Sequence, residues 1–190
     1  PHLLVASLLL SGLGAACGNG SGKGDATVVL GIKSKLTPGI GLDSMHVVIK
    51  TGDVVAVDET YASSTKDLKF PTEFRLDGLE DGETVEATID ATAGGAPALT
   101  RLAATEAVGG KEVLLAVELQ AACLQLDGAG AQACEAPQTC INGVCKSSHV
   151  AGETLPVYEA DWATQTTDIC KPKDAGDPLV TVGEGQADYL

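Results

Sequence analysis

The amino-acid sequence predicts an all-β protein in which a seven-stranded antiparallel sandwich is followed by a small disulfide-rich module. Between residues 26 and 121 it holds seven short apolar or β-branched runs, separated by turns rich in glycine and proline. No stretch of the sequence keeps an apolar period of 3.6 residues over three turns, as an amphipathic helix does. Five of the six cysteines follow the last run, which indicates a separate module held by disulfides.

Each of the seven runs has a pattern that is typical of a strand. The second and third flank the hairpin signal at 51–53, and Pro71 marks an edge or a bulge in the fourth. In the fifth, apolar and polar residues alternate, which is the pattern of a half-buried strand. Glycine pairs at 94–95 and 109–110 separate the last three runs. The predicted strands are 27–33, 45–50, 54–57, 68–76, 85–91, 99–105 and 113–119.

The segment 76–87, LDGLEDGETVEA, resembles the corner before a late strand in fibronectin type III and related immunoglobulin-like domains. The resemblance implies an immunoglobulin-like sandwich over residues 26–121. In that family a tyrosine usually stands at the position of Val85, and its hydroxyl fixes the corner. A carboxypeptidase-regulatory or transthyretin-like sandwich is therefore the alternative. Sandwiches of both kinds carry many functions, so the fold alone predicts no activity.

Residues 1–16 are interpreted as a signal peptide that lacks its basic first segment. The apolar run 3–13 is shorter than the roughly 20 residues of a membrane-spanning helix, but it has the length of a signal-peptide core. The sequence LGAAC that follows, ending at Cys17, resembles the bacterial lipobox. The resemblance implies that Cys17 is diacylated. The glycine-rich composition of residues 18–24 predicts that the segment 17–25 is a flexible tether. An ordinary secretory signal, with Cys17 as one more disulfide partner, and a buried helix are the alternatives.

Residues 122–172 are predicted to form a disulfide module, because an exported chain meets an oxidising compartment. Asn142-Gly143 is the strongest two-residue hairpin signal, and a turn there sets Cys140 opposite Cys145. These two cysteines either bond to each other or reach partners in the preceding loop. Zinc is the rival interpretation, but only this one pair has the close spacing of zinc ligands. We therefore expect no metal.

We favour a crossed arrangement of the disulfides, Cys123 with Cys140 and Cys134 with Cys145. It staples a loop that is too poor in large apolar side chains to pack alone, and on the chain-entropy model each bond contributes roughly 3 kcal/mol. Cys170 is then the odd cysteine, unpaired or bonded to a cysteine outside this sequence. Residues 173–190 are interpreted as a linker and the first strand, near 178–182, of a truncated further domain.

Composition excludes some classes of function. The net charge of −14, from 12 Lys and Arg against 26 Asp and Glu, argues against a protein that binds nucleic-acid backbones. Aromatic residues make up only 3% of the chain, which argues against stacking platforms for single strands. No catalytic constellation is recognised: His46 lies in a predicted strand, His149 in a polar loop, and the acidic pairs at 58–59 and 80–81 in turns or strand ends. We expect no catalytic residues and no cofactor.

The order of sandwich, Cys-x₅-Cys-x₄-Cys module and Leu155-Pro156-Val157-Tyr158 resembles uncharacterised lipoproteins of myxobacteria and related bacteria. The resemblance implies an exported, lipid-anchored envelope protein, but it implies no activity. Gly18, directly after the lipobox cysteine, resembles the second residue of outer-membrane lipoproteins and favours that membrane. The leading hypothesis is a non-enzymatic binding or structural module that contacts the membrane through its anchor and meets another envelope protein or a surface glycan. The alternatives are an accessory domain of a larger exported enzyme, with its catalytic part beyond residue 190, and an anchored enzyme whose site lies in this sequence.

Overall fold

A computed structural model describes residues 25–125 and 134–164 of the chain. The predicted all-β class is confirmed: strands dominate this part, and its only helical elements are two three-residue 3₁₀ turns, Ala121–Cys123 and Gly152–Thr154. The predicted signal peptide, Cys17, Cys170 and the strand near 178–182 lie outside the described residues. The described chain belongs to one compact unit up to residue 159, and residues 160–164 belong to a second unit.

Seven strands lie between residues 26 and 119, as the sequence predicts, and they form two sheets. One sheet has three strands in the order β4-β1-β7, and the other has four in the order β3-β2-β5-β6. The strands are β1 Ala26–Ser34, β2 Ser44–Thr51, β3 Val54–Ala62, β4 Thr72–Leu79, β5 Thr84–Ala93, β6 Ala96–Glu106 and β7 Glu112–Leu119.

One strand pair departs from the antiparallel prediction. β1 pairs with β4 antiparallel but with β7 parallel, Val28 lying opposite Val113 and Ile32 opposite Val117. The first seven residues of β1, ATVVLGI, are all buried, and a run that is apolar on both faces is typical of strands in parallel pairs. The apolar run reflects this burial, whereas the parallel direction depends on pairing between the first and the last of the seven strands, which are far apart in the chain.

The core lies between the two sheets and is formed by the alternate residues that point inward. Met45, Val47 and Ile49 of β2 are fully buried, and their side chains share a cluster with Leu30 and Ile32 of β1. On the side where β3 and β4 approach each other, the rings of Tyr61 and Phe74 meet edge to face at 6.0 Å. A contact of this kind adds to the burial of apolar area.

The disulfide module packs as a strap against the sandwich. We call residues 134–158 the strap; it contains the hairpin of β8 Gln138–Ile141 and β9 Val144–Ser147. The Ala104 N–H of β6 donates to Ser148 O at 2.9 Å, and the Leu114 N–H of β7 donates to Pro156 O at 2.9 Å. Because β6 and β7 belong to different sheets, the strap joins the two sheets along one side.

The two remaining sheet edges, β3 and β4, carry features that discourage pairing with another strand. A bulge interrupts the β2–β3 ladder between Ile49 and Lys50, and Glu59 lies opposite the core residue Val47 at the edge. Along β4, Glu73, Arg75 and Asp77 are exposed. Bulges, inward charges and charged edges are the usual protections of an exposed edge, so we do not assign partner binding to either edge.

Tyr61 provides a spectroscopic test of the β3–β4 side. Burial and a hydrogen bond from its hydroxyl to Glu59 raise the pKa of Tyr61 from 10.0 to about 12. A raised pKa means that the protonated phenol stabilises the fold below pH 10.0, and that this contribution is lost as the pH rises toward about 12. We expect Tyr61→Phe to remove the most alkaline transition in a tyrosinate absorbance titration. Tyr158→Phe is the control and should keep this transition. If Tyr158→Phe loses the transition and Tyr61→Phe keeps it, the assignment to Tyr61 is wrong.

Candidate binding surface

The structure contains the crossed disulfides. Cys123 bonds to Cys140 and Cys134 bonds to Cys145, with Cα–Cα distances of 5.7 and 5.6 Å. Their surroundings differ, because Cys123 and Cys140 are buried whereas Cys145 is exposed. The first bond therefore lies at the contact between strap and sandwich, and the second holds the outer part of the hairpin.

Arg101 of β6 lies beneath the hairpin and is only 9% exposed. Its guanidinium donates to Cys140 O at 2.6 Å and to the Thr139 hydroxyl at 3.2 Å, while its Nε has no partner. Among the described residues no carboxylate forms an ion pair with it, and burial lowers its pKa. An inward-pointing charge is a further protection of an edge strand, and here the strap covers it.

Both histidines of the described region pair with carboxylates at the surface. His46 Nε2 lies 2.7 Å from Asp58 Oδ1, and His149 Nε2 lies 2.6 Å from Glu106 Oε1. The hydrogen bond from His149 lowers the pKa of Glu106. In residues 25–125 and 134–164 neither imidazole bonds to a hydroxyl or a thiol, so the geometry places no nucleophile beside a base. Glu106 and His149 instead tie the strap to the end of β6.

The acidic pairs at 58–59 and 80–81 have separate structural partners. Besides the bond between Asp58 and His46, Glu59 accepts the Tyr61 hydroxyl. Asp81 accepts the Gly109 N–H at 2.8 Å, which fixes the turn before β7. The structure does not bring the pairs at 58–59 and 80–81 together, because they lie on different strands and turns.

The outer face of the four-stranded sheet is an open surface, which we call the open face. Its central row runs from Asp58 through Val48 and Thr88 to Leu102. Next to this row, the sheet and the strap enclose a pocket of about 180 Å³. Pockets for drug-sized ligands usually exceed about 300 Å³, so this one has room for a single side chain. Its lining includes Glu86, Thr88, Leu102, Ala104, Pro137 and Ser148.

The two ends of the sandwich differ, because the chain enters and leaves the unit at the same end. Asp25 accepts the Gly110 N–H at 2.9 Å, and the Tyr158 N–H donates to Glu112 O at 3.0 Å. Both contacts lie at the start of β7. This end, which we call the entry end, carries the carboxylates Asp25, Asp53, Glu80, Asp81 and Glu83.

The opposite end, which we call the loop end, is formed by residues 35–43, 63–71 and 94–95 and by the segment 120–125 that follows β7. These loops are joined: the Ser63 N–H donates to Asp43 O at 2.8 Å, and the Gly95 N–H donates to Asp43 Oδ2 at 3.0 Å. Ile40 is 87% exposed at this end, and the lysines 35, 66 and 69 are exposed around it. The loop end therefore combines an apolar tip with three exposed lysines, whose charge is partly offset by Asp43 and Asp67 in the same loops.

Sequence reasoning missed the residues that join the strap to the sandwich. Arg101 and Gly152 each lie at a contact between distant parts of the chain, and neither stands in a pattern that marks it. The sequence feature that came nearest to marking this contact is the segment Leu155-Pro156-Val157-Tyr158. Its backbone pairs with β7. The Tyr158 hydroxyl donates to Glu73 of β4 at 2.9 Å. This side chain therefore extends over the outer face of the three-stranded sheet.

No family model matches this chain, and a search of curated proteins finds no significant match. In the part of the chain that the structure describes, no group of three or more His, Cys, Asp or Glu side chains is placed to hold a metal ion. Within the same residues, no helix has the length and apolar character that crossing a bilayer requires. The fold and the two disulfides define the class: a disulfide-bonded, all-β protein of an extracytoplasmic compartment.

Proposed function

We propose that this chain is an exported lipoprotein, anchored through Cys17, whose described unit is a non-enzymatic binding or structural module of the cell envelope. The observation that carries the proposal is that the chain enters and leaves this unit at the entry end. An anchor that precedes residue 25 then holds the entry end toward the membrane. The loop end is left free to meet an envelope protein or a surface glycan.

Distances support this orientation. Residues 18–24 reach at most about 25 Å when fully extended, and a strand of nine residues is about 30 Å long. The loop end of an upright unit therefore lies at least a strand length from the anchor.

For the fold, we propose the transthyretin-like alternative rather than the immunoglobulin-like class. Immunoglobulin constant-type domains divide their strands as ABED and CFG. Here β2 lies between β3 and β5, and β4 pairs with β1, which is a different division. Val85 is consistent with this choice, since it replaces the tyrosine of the immunoglobulin-like corner.

Lipidation is tested by replacing the anchor residue. We expect the protein expressed with its complete signal peptide to partition into detergent and to incorporate a fatty-acid analogue. Cys17→Ser should move it to the soluble fraction, because two acyl chains give a stable anchor that the polypeptide alone does not supply. Cys170→Ser is the matched control and should stay with the membrane. Membrane association that persists in the Cys17 variant would refute the anchor.

Partner binding is tested by placing a photo-crosslinking residue at each end of the unit. Ile40 at the loop end and Val157 near the entry end are both exposed apolar residues, 87% and 67% accessible. In intact envelopes we expect a discrete crosslinked product from position 40 and none from position 157. The reverse pattern would show that the loop end is not the partner-facing surface. An accessory role in a larger enzyme would instead be indicated by a hydrolase motif in the reading frame after residue 190.

A further inference from the structure

The chain has two asparagines, Asn19 and Asn142, and glycine follows both. In such a pair the backbone nitrogen after the asparagine attacks the side-chain amide with little hindrance, because glycine has no Cβ to shield it. Asn142 and Gly143 form the exposed turn between β8 and β9, with φ of 54° and 76°. Two positive φ values are the mark of a type I′ turn.

Gln120 holds this turn with both ends of its side-chain amide. Its Oε1 accepts the Asn142 N–H at 2.7 Å, and its Nε2 donates to Asn142 Oδ1 at 2.8 Å. The same Nε2 also lies 3.1 Å from Glu118 Oε2, which ties Gln120 to β7. Gln120 thus belongs to the sandwich and Asn142 to the strap, so the two bonds exist only while the hairpin is docked.

We propose that Asn142 is a deamidation site and that Gln120 controls its reaction. The Gly143 nitrogen bonds to Asn142 Cγ as the Cγ–Nδ2 bond breaks, and ammonia leaves with the proton that the nitrogen gives up. The product is a five-membered succinimide. Water then opens one of its two carbonyl–nitrogen bonds, which gives aspartate or isoaspartate at position 142.

Gln120 has two opposing effects on this reaction. Its donation to Oδ1 withdraws electron density from Cγ and so makes Cγ more reactive. The free energy of one neutral hydrogen bond, however, corresponds to a rate increase of only about fivefold. Its bond to Oδ1 holds the Asn142 side chain, and its bond to the backbone N–H holds the main chain of the same residue. Together they oppose the rotation that brings Cγ onto the Gly143 nitrogen. A misplacement of about 1 Å in reacting groups costs about a hundredfold. Protection therefore outweighs activation, and the docked hairpin is the slow-reacting state.

The position of the turn gives the modification a structural effect. Isoaspartate lengthens the main chain by one methylene inside a two-residue turn, and the hairpin register depends on that loop length. The Cys140 and Cys145 pair is the second pair from the turn, after Ile141 and Val144, so the altered register reaches both disulfides. Isoaspartate at 142 consequently records that the hairpin has left the sandwich.

The test compares deamidation rates in the full, oxidised chain, incubated in mildly alkaline buffer and read by peptide mapping. We expect Gln120→Ala to accelerate deamidation of Asn142 by about tenfold or more, with the rate at Asn19 in the same digest unchanged. Gln138→Ala is the matched control, because Gln138 is an exposed glutamine of the same hairpin that does not bond to Asn142.

A second comparison needs no variant and holds even where Gln120→Ala fails to fold. A synthetic peptide of residues 138–147 lacks the clamp, and we expect its asparagine to react about tenfold faster than Asn142 of the intact protein. Equal rates in protein and peptide would overturn the proposal. So would a rate in the folded Gln120→Ala variant that is unchanged or slower than in the parent chain.

Discussion

Replacing Gly152 by alanine is expected to destabilise the protein by about 3 kcal/mol or more. A Cβ at this position would lie 2.0 Å from Glu106 O and 3.0 Å from Val108 Cγ2. The first of these atoms is backbone, so no rotation of a side chain relieves the overlap, and the strap has to move away from β6. The free energy of unfolding in urea measures the loss, and hydrogen exchange at the Ala104 N–H reports whether the strap has separated.

Gly41→Ala is the control for this experiment. The added Cβ would meet only Leu36 side-chain atoms, at 3.8 and 4.0 Å, which is ordinary contact. Neither Gly41 nor Gly152 has a positive φ, so the two substitutions differ in space rather than in backbone strain. Equal stability of the two variants would show that the strap is not pressed against β6 as described.

Removing the Cys123–Cys140 disulfide as Cys123→Ala with Cys140→Ala is expected to destabilise the protein by more than the roughly 3 kcal/mol of chain entropy. Both sulfur atoms belong to buried residues, so their loss leaves a cavity as well. Cys140 O also accepts a hydrogen bond from Arg101 at 2.6 Å, and a hairpin that loosens leaves this buried guanidinium without its acceptor. Chemical unfolding of the double variant measures the combined effect.

The matched comparison is the double replacement of Cys134 and Cys145. Cys145 is exposed, so we expect this pair to cost less and to leave the Arg101 contacts in place. The same difference predicts the order of reduction: a mild dithiol should open Cys134–Cys145 first, as followed by alkylation and mass spectrometry. Earlier reduction of Cys123–Cys140 would contradict the burial that distinguishes the two bonds.

Local patterns were sufficient wherever neighbours along the chain decide the structure. The alternation from Val85 to Ala91 predicted which side chains of β5 enter the core, and the structure buries the apolar ones. Asn142-Gly143 predicted the β8–β9 turn and set Cys140 opposite Cys145, as the register of the hairpin has them. In both cases the information lies within a few residues, because strand alternation and turn conformation are local properties.

Local patterns were insufficient at the edges. Val54 and Val55 look like core residues, yet they are 66% and 51% exposed, because β3 is an edge strand. From the sequence alone, a charged residue such as Arg101 is expected at the surface, but the strap buries it. Edge position and burial depend on which strands become neighbours, and β-propensity carries no information about that choice.

By itself, the sequence determined the all-β class, the number of sandwich strands and the hairpin turn, since hydrophobic periodicity and turn residues encode these directly. Only the tertiary structure decided the parallel β1–β7 pair, the strap across β6 and β7, and the close approach of Gly152 to Glu106. Each of these joins segments that are far apart in the chain. Such contacts form because they bury the whole core and cover open sheet edges. A short stretch of sequence carries no information about either.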